Sequence, residues 1–156
     1  MTMGHRVAVL RDGELQQVEA PSTLYHRPAN LFVAGFIGSP AMNMLPVSLG
    51  RSIMIAGAEI DIGEAISGER ATIGFRPETV TIDDDGRIPA RIRLVEDLGS
   101  EVFVHLVIDH ESEERRIVAK VDPPFAGKPD EKVRLTLRGN VHLFDATEAR
   151  KTTVTL

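Results

Sequence analysis

The chain has no cysteine and no tryptophan, and aromatic residues make up 4% of it. Without cysteine, neither a disulfide framework nor a thiolate metal site can form. The formal net charge is −5. Together with the scarcity of aromatics, it counts against a nucleic-acid partner, because such sites are built from basic grooves and aromatic platforms. Long hydrophobic runs are also missing. The longest, Leu31 to Ile37, falls well short of the roughly 20 apolar residues of a membrane-spanning helix. The N-terminus shows no continuous apolar core leading to a small-residue cleavage site. The expectation is a soluble chain that reaches a membrane only through a partner. What is present is ordinary: a hydrophobic fraction of 42% in 156 residues, enough for one domain plus a short appendage.

Chemistry-bearing patterns are equally sparse. No Gly-x-x-x-x-Gly-Lys-[Ser/Thr] occurs, so the sequence holds no phosphate-cradling loop. The histidines at 5, 26, 105, 110 and 142 lack the i, i+4 and finger-type spacings of zinc ligands. His105 falls on the polar phase of a strand, and His110 precedes a run of charge and reads as part of a turn. Gly38-Ser39-Pro40 is not a nucleophile elbow. Asp83-Asp84-Asp85 lacks the spaced oxygens and distal Glu of a calcium loop and reads as an exposed turn. Glu96, Asp97 and Glu101 are read as exposed charge around a turn. The sequence predicts no catalytic residue and no metal ligand.

The pattern divides the chain near residue 40. Before it, Arg6 to Arg11 reads as a buried strand, Asp12-Gly13 as a tight turn, and Glu14 to Val18 as a returning strand. Pro21 opens a short helix to His26. Pro28 opens another, with Leu31, Val33, Phe36 and Ile37 as an apolar stripe. Gly38 suits its C-cap, and Ser39-Pro40 stops it. After residue 43 the period becomes two. Ile53, Ile55, Ile60 and Ile62 flank an Ala56-Gly57 hairpin. Ala71, Ile73 and Phe75 form a strand that ends at Arg76-Pro77-Glu78. The series Ile88 to Leu94 and Val102 to Ile108 alternate on either side of Gly99. Ile117 to Val121 and Val133 to Leu137 follow, with prolines and Gly127 between them. Short strands without intervening helices predict an antiparallel barrel or sandwich, and a closed barrel hides more edges. The fold class is therefore mainly β, preceded by a short α/β segment. The divisions are 1–40, 41–148 and a polar tail 149–156, the last either frayed or a final edge strand.

Several stretches together resemble one family, the ATP-binding subunits of maltose-importer-type carbohydrate ABC transporters. Residues 30–43, Asn-Leu-Phe-Val-Ala-Gly-Phe-Ile-Gly-Ser-Pro-Ala-Met-Asn, resemble that family's junction between nucleotide-binding and regulatory domains. Arg6 to Gly13 is similar to the strand and turn after its switch histidine, and Met1-Thr2-Met3 to the segment between them. Pro21 to Pro28 is similar to its Pro-x-x-Leu-Tyr-x-x-Pro helix. Gly74-Phe-Arg-Pro-Glu78 resembles its Gly-[Ile/Phe]-Arg-Pro-Glu signature. Val95 to Glu101 resembles the Glu-x-Leu-Gly-x-Glu turn of its oligosaccharide-binding-like (TOBE) barrel, and Val141 to Asp145 resembles the closing strand. The matches follow the family's order along nearly the whole chain.

The resemblance implies that residues 1–40 are the end of a nucleotide-binding domain and 41–148 a regulatory TOBE barrel. The Walker motifs, signature motif, catalytic carboxylate and switch histidine of the family would all precede this sequence. The chain itself is then expected not to hydrolyse ATP, and ATP and Mg would belong to a full-length parent at the cytoplasmic face of the membrane. The implied partners are a second copy of the subunit, the transporter's membrane subunits through the parent, and possible regulatory proteins, with no nucleic acid. Turns around Gly68, Gly74 to Glu78 and Gly99 to Glu101 are expected on the contact surfaces, with Gly68, Gly74, Arg76, Glu78, Gly99 and Glu101 as candidate residues. An oxyanion- or sugar-sensing barrel is the alternative reading, and a nucleic-acid-binding barrel ranks last.

Overall fold

A computed structural model describes residues 5–63 and 70–156. The chain opens with a two-stranded ribbon, β1 (Val7–Arg11) and β2 (Glu14–Glu19), followed by α1 (Pro21–His26) and α2 (Leu31–Phe36). Strands β3 (Asn43–Ser48), β4 (Ser52–Ile55), β5 (Ala58–Asp61) and β6 (Arg70–Phe75) come next. A 3-10 turn at Pro77–Thr79 leads to β7 (Val80–Ile82). The remainder is β8 (Ile88–Asp97), β9 (Val102–His110), β10 (Glu113–Val121), β11 (Lys132–Leu137), β12 (Asn140–Phe144) and β13 (Arg150–Thr155).

A five-stranded sheet runs β10-β9-β8-β11-β7 and a four-stranded sheet runs β13-β12-β6-β3, both antiparallel, with β4-β5 as a separate hairpin. The two larger sheets share one core. Leu45, Ile73, Phe75 and Leu143 come from one side, and Ile88, Ile92, Leu106, Ile117 and Leu135 from the other. Full burial of each such side chain contributes about 1.5–3 kcal/mol. The arrangement is a mainly β half-barrel of the oligonucleotide/oligosaccharide-binding type, not the fully closed ring that edge protection favoured.

Where the ladders stop, a side chain joins the sheets. Asn43, the buried first residue of β3, accepts from Val118 N at 2.8 Å and donates through Nδ2 to Val118 O at 2.9 Å. Val118 lies on β10, an edge of the other sheet. The amide therefore does what a neighbouring peptide would do, and satisfies both polar groups of an edge residue.

The helices pack on the outer face of the four-stranded sheet. Strand alternation turns Val141 and Leu143 to the core and Phe144 outward, where it meets Ala34 of α2 and Met42. Gly74 of β6 makes this approach possible: a Cβ there would lie 2.6 Å from Met42 Sδ and 2.9 Å from Phe144 Cε2. The other side of α2 presents Val33 to Val9 and Leu24. A six-residue helix thus contributes to two apolar clusters. Its segment is also bridged to the turn before β13, through Leu31 N to Glu148 O and Arg150 N to Ala29 O, each 2.9 Å.

Several expectations need correction. β1 is not a buried strand: only Val9 is buried, while Leu10 and Leu15, paired near the turn, are 54% and 61% exposed. Its second face has nothing packed on it among the described residues. α2 begins at Leu31, not Pro28, because the Asn30 side chain accepts from Val33 N at 2.9 Å and fixes the N-cap. Phe36, assigned to the apolar stripe, is 65% exposed, and Ala34 takes its place. Of the two readings of residues 149–156, the structure shows the edge strand, Arg150–Thr155 paired with β12. Strands β3 and β7 had no counterpart in the sequence reading. His110 lies at the end of β9, not in a turn. It is buried, with Nε2 2.5 Å from Pro46 O and Nδ1 accepting from Ala56 N at 3.3 Å, which ties the β4-β5 turn to β3.

Replacing Asn43 by Ala leaves the Val118 N–H and C=O without partners in a half-buried setting. Urea unfolding of N43A is expected to show a loss of about 1–3 kcal/mol, and hydrogen exchange at Val118 should accelerate in particular.

Candidate interaction surface

The candidate residues after β6 split into an inner and an outer set. Gly74 and Arg76 are buried, and Pro77 with them, whereas Glu78 is exposed. Arg76 is 4% exposed, and its guanidinium is spent on the N-terminal segment. Nη1 donates to Ile37 O at 2.6 Å and Ala34 O at 3.2 Å, and Nη2 donates to Tyr25 O at 2.8 Å. These carbonyls end α2 and α1, where a helix has acceptors with no partner of its own and where a cation is favoured. The guanidinium also lies 4.0 Å from the Tyr25 ring centroid. Burial lowers the Arg76 pKa, and the neighbouring Tyr25 and Glu78 work against that shift. Gly38 is part of the same fit. Its φ of +114° suits only glycine, and a Cβ would lie 3.1 Å from Arg76 Nη1.

Tyr25 carries the contact to the surface. Its hydroxyl donates to Glu78 Oε1 at 2.7 Å. Burial pushes the phenol up to about 12, with the hydrogen bond and the charge of Glu78 adding to the shift and Arg76 opposing it. Glu78 therefore extends a buried cation and a half-buried phenol out to solvent.

Lys120 links Glu78 and Glu101, two candidates that lie on separate turns of the chain. Lys120 on β10 hydrogen-bonds Glu101, and both Glu101 and Glu78 raise its pKa, the Glu101 hydrogen bond most. Glu78, Lys120, Val121, Asp122 and Phe125 line one open cleft. Neither Lys120 nor Tyr25 stood out in the sequence as a link, since each occupies an ordinary polar or amphipathic position.

Beside this surface stands the β8-β9 hairpin with the remaining candidates. Gly99 N donates to Asp97 Oδ1 at 2.8 Å and Leu98 N to Glu101 O at 2.9 Å, so the turn is closed by its own backbone and carboxylate. Leu98 at its tip is 64% exposed. Leu94 is 48% exposed, although the alternation Ile88, Ala90, Ile92, Leu94 assigned it to the core. A bulge between Ile92 and Leu94 shifts the register, pairing Leu94 with His105 and turning it to the outer face. Gly68 lies outside the described residues.

His142 is 2% exposed, with Nδ1 2.8 Å from Thr153 Oγ1. Burial holds its pKa down at about 4, and Arg150, Arg76 and His26 reinforce this. No group of three or more His, Asp or Glu side chains is placed to hold a metal ion among the described residues. Asp83 accepts from Thr136 Oγ1 at 3.2 Å and lies 3.5 Å from Arg138 Nη2, so it serves the β7-β11 junction.

Comparison with known proteins places these features. A family model described as TOBE domain matches residues 73–144. The chain is 38% identical over 154 residues to an uncharacterised ABC transporter ATP-binding protein of Sinorhizobium fredii, covering 93% of this chain and 40% of that protein. It is 36% identical to an sn-glycerol-3-phosphate import ATP-binding protein of Ruegeria, covering 97% of this chain and 43% of that one. It is 48% identical over 118 residues to a xylose/arabinose import ATP-binding protein of Haloferax volcanii, covering 68% and 30%. The chain spans about two fifths of the length of the first of these curated relatives.

Two outcomes are expected here. R76M removes three carbonyl contacts and should lower stability by about 2–4 kcal/mol, with faster hydrogen exchange in α1 and α2 than in β8 and β9. For His142, the folded pKa lies below the unfolded value, so the folded state binds fewer protons. Stability is complete above pH 6.5 and is lost as pH falls toward 4. Urea midpoints across that window should fall less in H142Q than in the unsubstituted chain.

Proposed function

The chain carries a TOBE domain homologous to the C-terminal regions of sugar and polyol ABC-transporter ATPase subunits, and from this we propose that it pairs two such subunits through the hairpin beside Glu78. The domain corresponds to the regulatory module of that family of importer ATP-binding subunits, and TOBE domains are non-catalytic regulatory and oligomerisation modules. In the full-length parent, ATP and Mg bind elsewhere and hydrolysis drives uptake of a sugar or polyol. The relatives named for sn-glycerol-3-phosphate import and for xylose/arabinose import support that substrate range. A persistent contact between two barrels keeps two catalytic domains at high effective concentration as they open and close.

One observation carries the pairing role. Leu98 and Leu94 stand exposed on the β8-β9 hairpin, beside the Glu101–Lys120–Glu78 charges. An apolar tip with a polar rim is the usual anatomy of a protein contact. Gly99 and Glu101 shape that hairpin. Glu78 belongs to the rim, while Gly74 and Arg76 support the surface from within. The division at residue 40 is retained in this proposal. Exposed Val7, Leu10, Leu15 and Phe36 support assigning residues 1–40 to a nucleotide-binding domain whose surface covers them. No helix among the described residues is long and apolar enough to cross a membrane. The parent would be held at the cytoplasmic face of the membrane by the transporter's own membrane subunits.

Sedimentation of the 156-residue chain is expected to show a reversible dimer. L98D and the double variant E78R/E101R should each weaken it by roughly tenfold or more while circular dichroism is unchanged. A strictly monomeric chain, or a dimer indifferent to all three substitutions, would rule the pairing surface out.

A further inference from the structure

The cleft beside the β8-β9 hairpin has carboxylates to spare. Its charged lining residues are Glu78, Asp122 and Lys120, and Val80, Val121 and Phe125 supply apolar wall. Lys120 is already taken, by its hydrogen bond to Glu101. The Lys120 pKa is raised, most by that bond and further by the charges of Glu101, Glu78 and Asp122. Yet among the described residues neither Glu78 nor Asp122 lies within ion-pair distance of a cation. The Tyr25 hydroxyl bonded to Glu78 brings a hydrogen and no charge. Two carboxylates without a counter-ion, next to an aromatic ring, suit an incoming arginine, which pairs with the acids and stacks on the ring.

The hairpin carries a cation in the converse situation. Ile92 stands opposite Leu106 and Leu94 opposite His105, so Arg93 is the extra residue of the β8 bulge. Bulges re-aim side chains, and this one leaves Arg93 exposed next to exposed Leu94. Other cations of the hairpin have close carboxylates. Arg91 meets Asp130 at 2.9 Å and Glu114 at 3.1 Å, and His105 Nε2 lies 3.4 Å from Glu96. Arg93 comes only within 4.0 Å of Asp130, the carboxylate that Arg91 already holds. It is a loosely held cation beside the two exposed leucines of the pairing surface.

We propose that, in a pair of these chains, Arg93 of each copy enters the acidic cleft of the other, against Asp122 and Glu78. This rests on the pairing reading and adds to it the residues that choose the partner. A two-fold axis makes the contact self-complementary, because each copy offers one free arginine and one acidic cleft. Charge pairs of this kind set partner choice and encounter rate more than affinity. A similar barrel with a cation in place of Asp122 would be refused by like charge.

Sedimentation of R93E, of D122R and of their equimolar mixture tests the contact. Each variant alone should pair roughly tenfold or more weakly than the unsubstituted chain. The mixture should recover most of that loss, because both of its contacts again join opposite charges. R93E/D122R in one chain should pair with itself and not with the unsubstituted chain. The loss in R93E should shrink as salt is raised, and R51E, at an exposed arginine elsewhere, should pair as before. Circular dichroism checks the fold of each variant. R93Q removes the charge without reversing it and stands in should R93E fold poorly, with a smaller loss expected. A dimer sensitive to L98D but indifferent to R93E and D122R, or a mixture no tighter than its components, would overturn this contact and leave the pairing surface standing. A monomeric unsubstituted chain would overturn both.

Discussion

Arg76 is the constraint around which the rest of the molecule is arranged. A guanidinium keeps its charge in any folded environment, so burying one requires acceptors in fixed positions. Here those acceptors are the final carbonyls of two short helices, groups that also need donors. Neither side has an economical alternative. Removing the arginine strands the carbonyls, and displacing the helices strands the charge. The helices are six residues each, too short to persist in isolation. Their order derives from this contact, from the Asn30 cap and from the two apolar clusters that share α2.

Asn43, opposite Phe75 on the neighbouring strand, plays a comparable part between the two sheets. A mainly β domain must do something with its edges, and this one leaves two sheets whose ladders do not run continuously into each other. One buried amide covers Val118 at the gap. His110 acts similarly on the β4-β5 hairpin. Polar side chains substituting for peptide groups are thus a recurrent means of joining pieces here. They fix register, because each donor and acceptor has one partner at one height along the strand.

Much of this was legible in the sequence where the signal is local. The Asp12-Gly13 and Ala56-Gly57 hairpins, the α1 bounds and the long alternating strands follow from turn chemistry and period. What failed depended on packing. The period of β8 gave Leu94 to the core, but a single bulge reversed it, and a bulge has no reliable signature in one sequence. β1 looked buried because Val7, Val9 and Leu10 are apolar, yet composition does not say whether both faces are covered. At the candidate surface, Gly74-Phe-Arg-Pro-Glu78 was found as a motif. Its division into an inward Arg76 and an outward Glu78 required coordinates. So did the role of Lys120, whose meaning lies in what stands on either side of it.

The double membership of α2 has a practical consequence for anyone wishing to cut this protein. The sequence invites a boundary at residue 40, and a fragment starting there would retain every strand of the half-barrel. It would also carry Phe144 and Met42 uncovered on an outer face and Arg76 with its three acceptors gone. Such an excised barrel would be sticky, and Arg76 would be left to water in place of the carbonyls it serves. The point at which the chain changes character along its length is therefore a poor place to divide it in space. A stable minimal unit should begin ahead of α1, at the ribbon that holds Val9.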